Sequence, residues 1–221
     1  GLASGVIAVT AGNGYTCAFT SSGRVKCWGA NWLGQLGDGT KELSLIPVDV
    51  EGIENGVIGI SANNNHTCAV TTDKKVMCWG INEFGQLGDG TKQDQPAPVE
   101  VKKILGNAVA VSAGGHHTCA LLDSGGVKCW GNNESGQLGD NTRIERGEPA
   151  YVNNLLSGVT AISVGEYHSC ALMDTGGVKC WGSNSIGELG NGLPDSSYIT
   201  PEDVINLSDA AVSISSWDRH T

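Results

Sequence analysis

Two cysteines that stand 10 residues apart occur four times in this chain of 221 residues, and each pair follows the previous pair by 51 residues. The neighbouring residues repeat with them, because every pair is followed by Trp-Gly and then by Gly-Gln-Leu-Gly or Gly-Glu-Leu-Gly. A fixed period of this length is typical of repeat proteins, in which each unit buries its apolar residues against the next. The pairs are Cys17 and Cys27, Cys68 and Cys78, Cys119 and Cys129, and Cys170 and Cys180.

The third unit shows what one repeat contains. Residues 118–122 and 127–130 alternate apolar and polar side chains around a glycine-containing turn, which predicts a β-hairpin. With Cys119 opposite Cys129, three residues remain in the loop, and the last adopts a left-handed conformation that glycine accepts without steric cost. This position holds Gly23, Gly125 and Gly176, whereas Lys74 in the second unit predicts the most strained turn.

The cysteines admit two interpretations. Opposed cysteines in an antiparallel pair come close enough for a disulfide. Metal ligation is the alternative, but structural zinc sites use closely spaced pairs such as C-x2-C, and the sequence has none. A redox-active pair would resemble C-x-x-C, which is also missing. We therefore predict four intra-hairpin disulfides and an oxidising, secreted or cell-surface (extracellular or periplasmic) location.

Two further segments complete each repeat. An apolar alternation precedes each hairpin, and we expect it to form the innermost and most buried strand. A segment with proline follows, as at Pro47 and Pro98, and proline fits an outer edge strand because its missing N–H needs no partner there. Three or four short strands form a unit the size of a propeller blade, so the sequence predicts an all-β propeller.

The repeats divide a single repeat domain, 1–221, into the units 1–50, 51–101, 102–152 and 153–203 and a partial fifth repeat, 204–221. The last residues match the approach to a hairpin and stop one position before a cysteine would be due. Since an unpaired strand exposes its backbone groups, we expect a longer parent protein. A four-bladed ring, an open arc and an assembly between chains all stay open.

From Val111 to Thr142 the third unit carries Val-x-Ala-Gly-x-x-His-Thr-x-Ala-Leu, and then Gly-x-Val-x-x-Trp-Gly-x-Asn-x-x-Gly-Gln-Leu-Gly-Asp-x-Thr. The chain resembles the regulator of chromosome condensation (RCC1-like) repeat family along about its whole length. This resemblance implies a β-propeller, typically seven-bladed, of which four blades and a partial fifth are present. The family includes nucleotide-exchange factors and a secreted bacterial inhibitor of β-lactamases. The paired cysteines indicate a secreted, disulfide-containing, bacterial-type variant and argue against a nuclear role.

Composition and motifs exclude several classes of function. The net charge of −10 disfavours nucleic acid and anionic membranes as partners, and no apolar run is long enough to span a membrane. The aspartates of the Gly-Asp-Gly-Thr loops lack the ligand density of a calcium site, so we predict turns, no metal and no cofactor. No nucleophile, carboxylate pair or phosphate loop converges, which predicts that the chain is not an enzyme.

Two recurring residue types are expected to be structural. His66, His117, His168 and His220 share one motif position, and we predict that they bond to backbone at a blade edge. The recurring tryptophans stand opposite Thr or Ser in each hairpin and are predicted to pack between blades. They are Trp28, Trp79, Trp130 and Trp181.

Positions that vary between matched repeats indicate where a partner binds. Large apolar side chains occur in predicted blade-end loops, where the scaffold does not require them and where binding residues concentrate. We therefore expect a protein partner on one propeller face, held by Trp32, Leu33, Phe84, Tyr167, Ile186 and Trp217. The first alternative is self-assembly through exposed terminal blades into a larger ring, lattice or filament. The second is inhibition of a secreted enzyme in the manner of a β-lactamase inhibitor.

Overall fold

The computed structural model describes residues 2, 4–53, 56–194 and 196–221, and within them it shows four antiparallel sheets and no helix. Each sheet has four strands in sequential order and lies within one predicted repeat. The predicted all-β propeller architecture is confirmed. We name the sheets blades 1 to 4.

Blade 1 consists of β1 (Val6–Ala11), β2 (Tyr15–Thr20), β3 (Val25–Gly29) and β4 (Ser44–Asp49). Blade 2 consists of β5 (Val57–Asn63), β6 (His66–Thr71), β7 (Val76–Gly80) and β8 (Gln95–Glu100). Blade 3 consists of β9 (Ala108–Ala113), β10 (His117–Leu122), β11 (Val127–Gly131) and β12 (Arg146–Tyr151). Blade 4 consists of β13 (Val159–Val164), β14 (His168–Met173), β15 (Val178–Ser183) and β16 (Ser197–Asp203).

The central hairpin of each blade has the predicted register, in which the two cysteines lie directly opposite each other. All four predicted disulfides are present, each with its Cα atoms 4.1 Å apart. They join Cys17 to Cys27, Cys68 to Cys78, Cys119 to Cys129 and Cys170 to Cys180.

The loop of the hairpin also has the predicted conformation. In blade 3 the three-residue loop closes with Gly125 at φ 77°, and in blade 2 Lys74 adopts the same left-handed conformation at φ 67°. A side chain at this φ costs free energy, so the prediction of a strained second turn is confirmed.

The first strand of each blade was expected to be both innermost and most buried, and only the first expectation is confirmed. First strands of neighbouring blades contact each other, which places them nearest the propeller axis. In β6 and β10 every residue is buried, whereas β1 is largely exposed. The second strand is more buried because it lies between two strands of its own sheet and between two blades, while the first strand is an edge.

The hydrophobic core lies between blades. Leu87 and Val101 of blade 2 pack with Trp130 of blade 3 in one cluster of buried side chains. The indole Nε1 of Trp130 donates a hydrogen bond of 2.8 Å to the carbonyl oxygen of Gln86 in the preceding blade. Trp79 and Trp181 make the same bond to Gln35 and Gln137, so the predicted packing of tryptophans between blades is confirmed at these three positions.

The recurring histidines also join blades, but not through the predicted partner. His66 Nε2 lies 2.9 Å from the hydroxyl of Thr118 in the next blade, and His117 Nε2 lies 2.8 Å from that of Ser169. The partner is therefore a side-chain hydroxyl across the interface, not a backbone group at a blade edge. Burial lowers the pKa of His66 to about 3 and that of His117 well below its ordinary value, because the charged imidazole would lose its hydration.

Candidate protein-binding face

The candidate site lies at one end of the blades, which we call the turn face. It carries the turn between the first and second strands of each blade and the loop between the third and fourth. Because adjacent strands run antiparallel, these two connections emerge at the same end of each sheet.

A buried asparagine holds each loop that follows the third strand. In blade 1 the Asn31 amide donates to Asp38 Oδ1 at 3.1 Å and to the carbonyl oxygen of Thr40, while its Oδ1 accepts from the backbone N–H of Leu36. Asp38 Oδ1 also accepts from the N–H of Thr40, which is the turn role predicted for this aspartate. This asparagine belongs to the Trp-Gly-x-Asn motif of the sequence, but no role was predicted for it. The equivalent residues are Asn82, Asn133 and Asn184.

The fixed loops present the predicted binding residues in different ways. Trp32 is 68% exposed, Ile186 is 69% exposed and Trp217 is 49% exposed. Phe84 is half-buried against the edge of the His116 ring, with the ring centroids 5.1 Å apart. Tyr167 is half-buried beneath the guanidinium of Arg219, and Leu33 is also half-buried. Phe84 and Tyr167 therefore already have an aromatic and a cation–π contact within the chain.

Two concavities meet on the turn face. The first, of about 300 Å³, surrounds the axis, where turns from all four blades converge beside Trp217. The second, of about 560 Å³, is an apolar groove on blade 1. Asn13 and Gly14 line both concavities and join them. The groove is lined by Trp32, Leu33, Leu43 and Leu45.

The structure thus brings together only part of the predicted set. Trp32, Leu33 and Trp217 lie around the shared Asn13–Gly14 turn, while Ile186 lines a separate cleft on blade 4. Leu43 and Leu45 were missed by the sequence analysis. The signal was present, since the equivalent positions, 51 and 102 residues later, hold Asp94 and Pro96 and then Glu145 and Gly147.

Hydrogen bonds between blades stiffen the axial concavity. The backbone N–H of Asn13 donates to the carbonyl oxygen of Asn64 at 2.7 Å, and that of Glu166 donates to the carbonyl oxygen of Asp218 at 2.7 Å. Glu166 and Asp218 also line the concavity, so its rim is acidic. Burial, and then the neighbouring Glu166, raises the pKa of Tyr167.

Two other kinds of site are absent from the described part of the chain. No group of three or more His, Cys, Asp or Glu side chains in it is arranged to hold a metal ion. No helix in the same residues has the length and apolar character needed to cross a membrane.

Comparison with known proteins decides the family, because residues 2–221 match the RCC1-like domain. The chain belongs to the RCC1-like domain family. Among its relatives, the probable E3 ubiquitin-protein ligase HERC6 of Homo sapiens is 37% identical over 190 residues, which are 82% of this chain and 19% of the ligase. The ultraviolet-B receptor UVR8 of Arabidopsis thaliana is 30% identical over 222 residues, 98% of this chain and 50% of the receptor.

Two solved structures share the fold of this chain. Human WBSCR16 superposes with a TM-score of 0.88 at 24% identity, over 96% of this chain and 56% of that protein. Yeast RCC1 (Prp20), in a crystal structure with bound Kap60, has a TM-score of 0.82 at 25% identity, over 96% of this chain and 52% of Prp20. This RCC1-like chain therefore spans about a fifth to rather more than half of these proteins. RCC1-like domains mediate protein interactions and are generally non-catalytic.

Proposed function

We propose that this RCC1-like chain is a non-catalytic module that holds a protein partner on the turn face, between Trp32 and Trp217. One observation carries the proposal. Two exposed indoles flank the Asn13–Gly14 turn that joins the axial concavity to the apolar groove.

Physical chemistry favours these two positions as anchors. Tryptophan is enriched among the residues that dominate binding free energy, because its ring buries a large area at a small cost in conformational entropy. Both the amide nitrogen and the amide oxygen of Asn31 form hydrogen bonds that hold the loop of Trp32. The loop therefore loses little conformational entropy when a partner binds.

The negative charge around the site indicates which side chains a partner would present. Glu166 and Asp218 line the axial concavity, and the whole chain has a net charge of −10. A partner that presents apolar side chains flanked by lysine or arginine would complement both the groove and its acidic neighbour. We propose such a protein as the partner.

The test begins with a partner selected from secreted or cell-surface proteins by binding to the native chain. The affinity is then measured for Trp32→Ala, Trp217→Ala and Leu105→Ala. Leu105 is exposed in the connection between β8 and β9, at the opposite end of the blades, and serves as the matched control. Each tryptophan variant is expected to weaken binding by at least about 2 kcal/mol, or about thirtyfold in Kd. Unchanged affinity in both tryptophan variants, measured by titration calorimetry, rejects the proposed site.

We also propose that the chain works in an oxidising compartment, outside the cytosol. Four disulfides support this proposal, because such bonds persist where glutathione and thioredoxin do not reduce them. Protein isolated from its natural source with thiols blocked at lysis should contain no free cysteine. Recovery of eight alkylated cysteines would rule the proposal out.

A further inference from the structure

Four lysines gather at one end of blade 2, opposite the turn face. Lys74 and Lys75 belong to the hairpin turn between β6 and β7, and Lys102 and Lys103 belong to the connection between β8 and β9. Because adjacent strands are antiparallel, both connections emerge at the same end of the sheet. They hold four of the 13 lysine and arginine residues of a chain whose net charge is −10, so this end of blade 2 is unusually basic.

The blade fold does not require lysine at any of these four positions. Among the equivalent residues of the other three blades, only Arg24 is a cation. The equivalents are Gly23, Gly125 and Gly176 for Lys74, Arg24, Gly126 and Gly177 for Lys75, Glu51, Asn153 and Ile205 for Lys102, and Gly52, Asn154 and Asn206 for Lys103.

Two of the lysines have a backbone conformation that disfavours them. Lys74 has φ 67° and Lys103 has φ 56°, both in the left-handed region. At the equivalent positions the other three blades have glycine or asparagine, which adopt this conformation most readily, with φ between 59° and 81°. Blade 2 therefore carries lysine twice, at one end, at a cost in stability. Residues held in such conformations are concentrated at binding sites.

The lysines adjoin a concavity that also has an apolar part. It has a volume of about 600 Å³ and is lined by residues 100–105. Leu105 is 76% exposed, and Ile104 is half-buried against the core cluster between blades 2 and 3. Blades 2 and 3 each have a neighbouring blade on both sides among blade 1, blade 4 and each other. We call the four lysines and this concavity the lysine groove.

Two of the lysines form ion pairs that a partner can replace. Lys75 Nζ lies 2.8 Å from a carboxylate oxygen of Glu100, and Lys103 Nζ lies 2.7 Å from one of Glu148. Each of these side chains is at least 38% exposed. Exposed ion pairs contribute little free energy, so exchange for the carboxylates of a bound partner costs little.

The other two lysines are available to carboxylates from outside the chain. Neither Lys74 nor Lys102 forms an ion pair with any residue that the structure describes. The acid next to Lys74 in sequence, Asp73, accepts a hydrogen bond from the hydroxyl of Thr71. Lys102 is exposed and Lys74 is half-buried. A partner can therefore pair with these two ammonium groups without breaking an existing ion pair.

We infer that the lysine groove binds a short segment of another protein that presents acidic side chains around an apolar one. The apolar side chain packs on Leu105, and the carboxylates pair with the lysines, so charge and apolar surface are both complementary. An extended polyanion or an anionic membrane is disfavoured, because the rest of the chain is acidic and repels it. The groove lies at the opposite end of the blades from Trp32 and Trp217, so it is independent of the partner proposed for the turn face.

Peptides selected on the native chain provide the probe. A random peptide library displayed on phage is enriched on the immobilised chain, and the affinities of the enriched peptides are measured by fluorescence polarisation. The inference expects peptides that carry Asp or Glu around an apolar residue. Their affinity should fall as salt is raised, because the lysines are exposed.

The double variant Lys74→Gly with Lys103→Gly separates binding from stability. It gives blade 2 the glycines that blade 1 has at Gly23 and Gly52. It should melt at least about 2 °C higher than the native chain, because glycine relieves the left-handed conformation. It should also bind the acidic peptides at least about tenfold more weakly. Lysines with only a structural role would not give opposite changes in the two measurements.

Matched controls come from the neighbouring repeats. Arg24→Glu changes the net charge by the same amount, at the position in blade 1 that corresponds to Lys75, and should leave the affinity unchanged. Leu105→Ser should weaken binding at least about fivefold. Leu156→Ser, at the same position of blade 3, where the side chain is 62% exposed but no lysine accompanies it, should not weaken binding.

Trp32→Ala should bind the acidic peptides as the native chain does, which distinguishes the lysine groove from the turn face. The inference is overturned if no acidic peptide is enriched, or if the double glycine variant keeps the native affinity. Binding confined to heparin or to phosphatidylserine vesicles also overturns it, and so does a double glycine variant that melts below the native chain.

Discussion

At the scale of single residues, one amino acid has different physical roles at equivalent positions of the four repeats. Trp130 is fully buried and its Nε1 bonds to the carbonyl oxygen of Gln86, whereas Trp28 is partly exposed and makes no such bond. The difference comes from the neighbouring blade. Trp130 packs against blade 2, whereas the described residues include no blade on the corresponding side of Trp28.

This difference predicts unequal effects of the same substitution. Trp130→Phe removes a buried donor and part of the ring, so the free energy of unfolding should fall by about 1–3 kcal/mol. Trp28→Phe should change it by less than about 0.5 kcal/mol. Urea unfolding at low protein concentration measures both, and equal losses would contradict this difference between the two tryptophans.

The left-handed turn residue of blade 2 gives a second residue-scale prediction. Lys74 has φ 67° where the other three hairpins have glycine. Lys74→Gly should raise the free energy of unfolding by about 0.5–1 kcal/mol, because glycine removes the steric cost of this conformation. The matched change Gly125→Ala should lower it, since a Cβ there would lie 2.8 Å from the backbone nitrogen of Gly158. Thermal unfolding in which Lys74→Gly is less stable than the native chain would contradict this account.

At the scale of elements, the disulfide hairpin is the unit that each blade contributes to the core. Its second strand is the most buried, and its cysteines are almost completely inaccessible. A two-stranded hairpin is marginally stable alone, so covalent closure and burial between blades must act together.

Removing one disulfide tests how much covalent closure of the hairpin contributes to stability. The variant with Cys68→Ala and Cys78→Ala should lose roughly 2–3 kcal/mol of unfolding free energy, because its open loop gains conformational entropy when unfolded. Denaturant unfolding of this variant, compared with the native chain with and without reductant, gives the measurement. Full reduction should destabilise more than loss of one bridge, and an unchanged midpoint in both cases would refute the prediction.

At the scale of the whole molecule, stability is distributed over the interfaces between blades. Each interface combines an indole, a cluster of aliphatic side chains and a bond from His or Tyr to a hydroxyl of the next blade. The buried histidines make this arrangement sensitive to acid at several places at once.

The pH dependence follows from the lowered pKa of the buried histidines. The unfolded chain takes up a proton at His66 near pH 6.5, but the folded chain does so only near 3. The unfolded state therefore binds more protons in this window, and stability falls as the pH falls from 6.5 towards 3. Each such histidine contributes up to about 1.4 kcal/mol per pH unit.

Unfolding free energies measured across this window check the prediction. His66→Gln keeps a donor for Thr118 but cannot titrate, so its slope against pH should be shallower by about one proton. The same slope in the native chain and in His66→Gln would show that His66 does not contribute to the loss of stability in acid.

The sequence by itself determined the repeated element. Cysteine spacing, strand alternation and turn glycines are local signals, and they predicted the hairpin register, the disulfides, the strained turn at Lys74 and the propeller architecture. Only the tertiary structure decided what lies across each interface. It showed that the second strand is the most buried, that the histidines bond to hydroxyls, and that Trp32 and Trp217 flank one turn while Ile186 lies elsewhere. The reason is physical: strand geometry depends on residues a few positions apart, whereas burial and partners depend on blades that meet about 51 residues away in sequence.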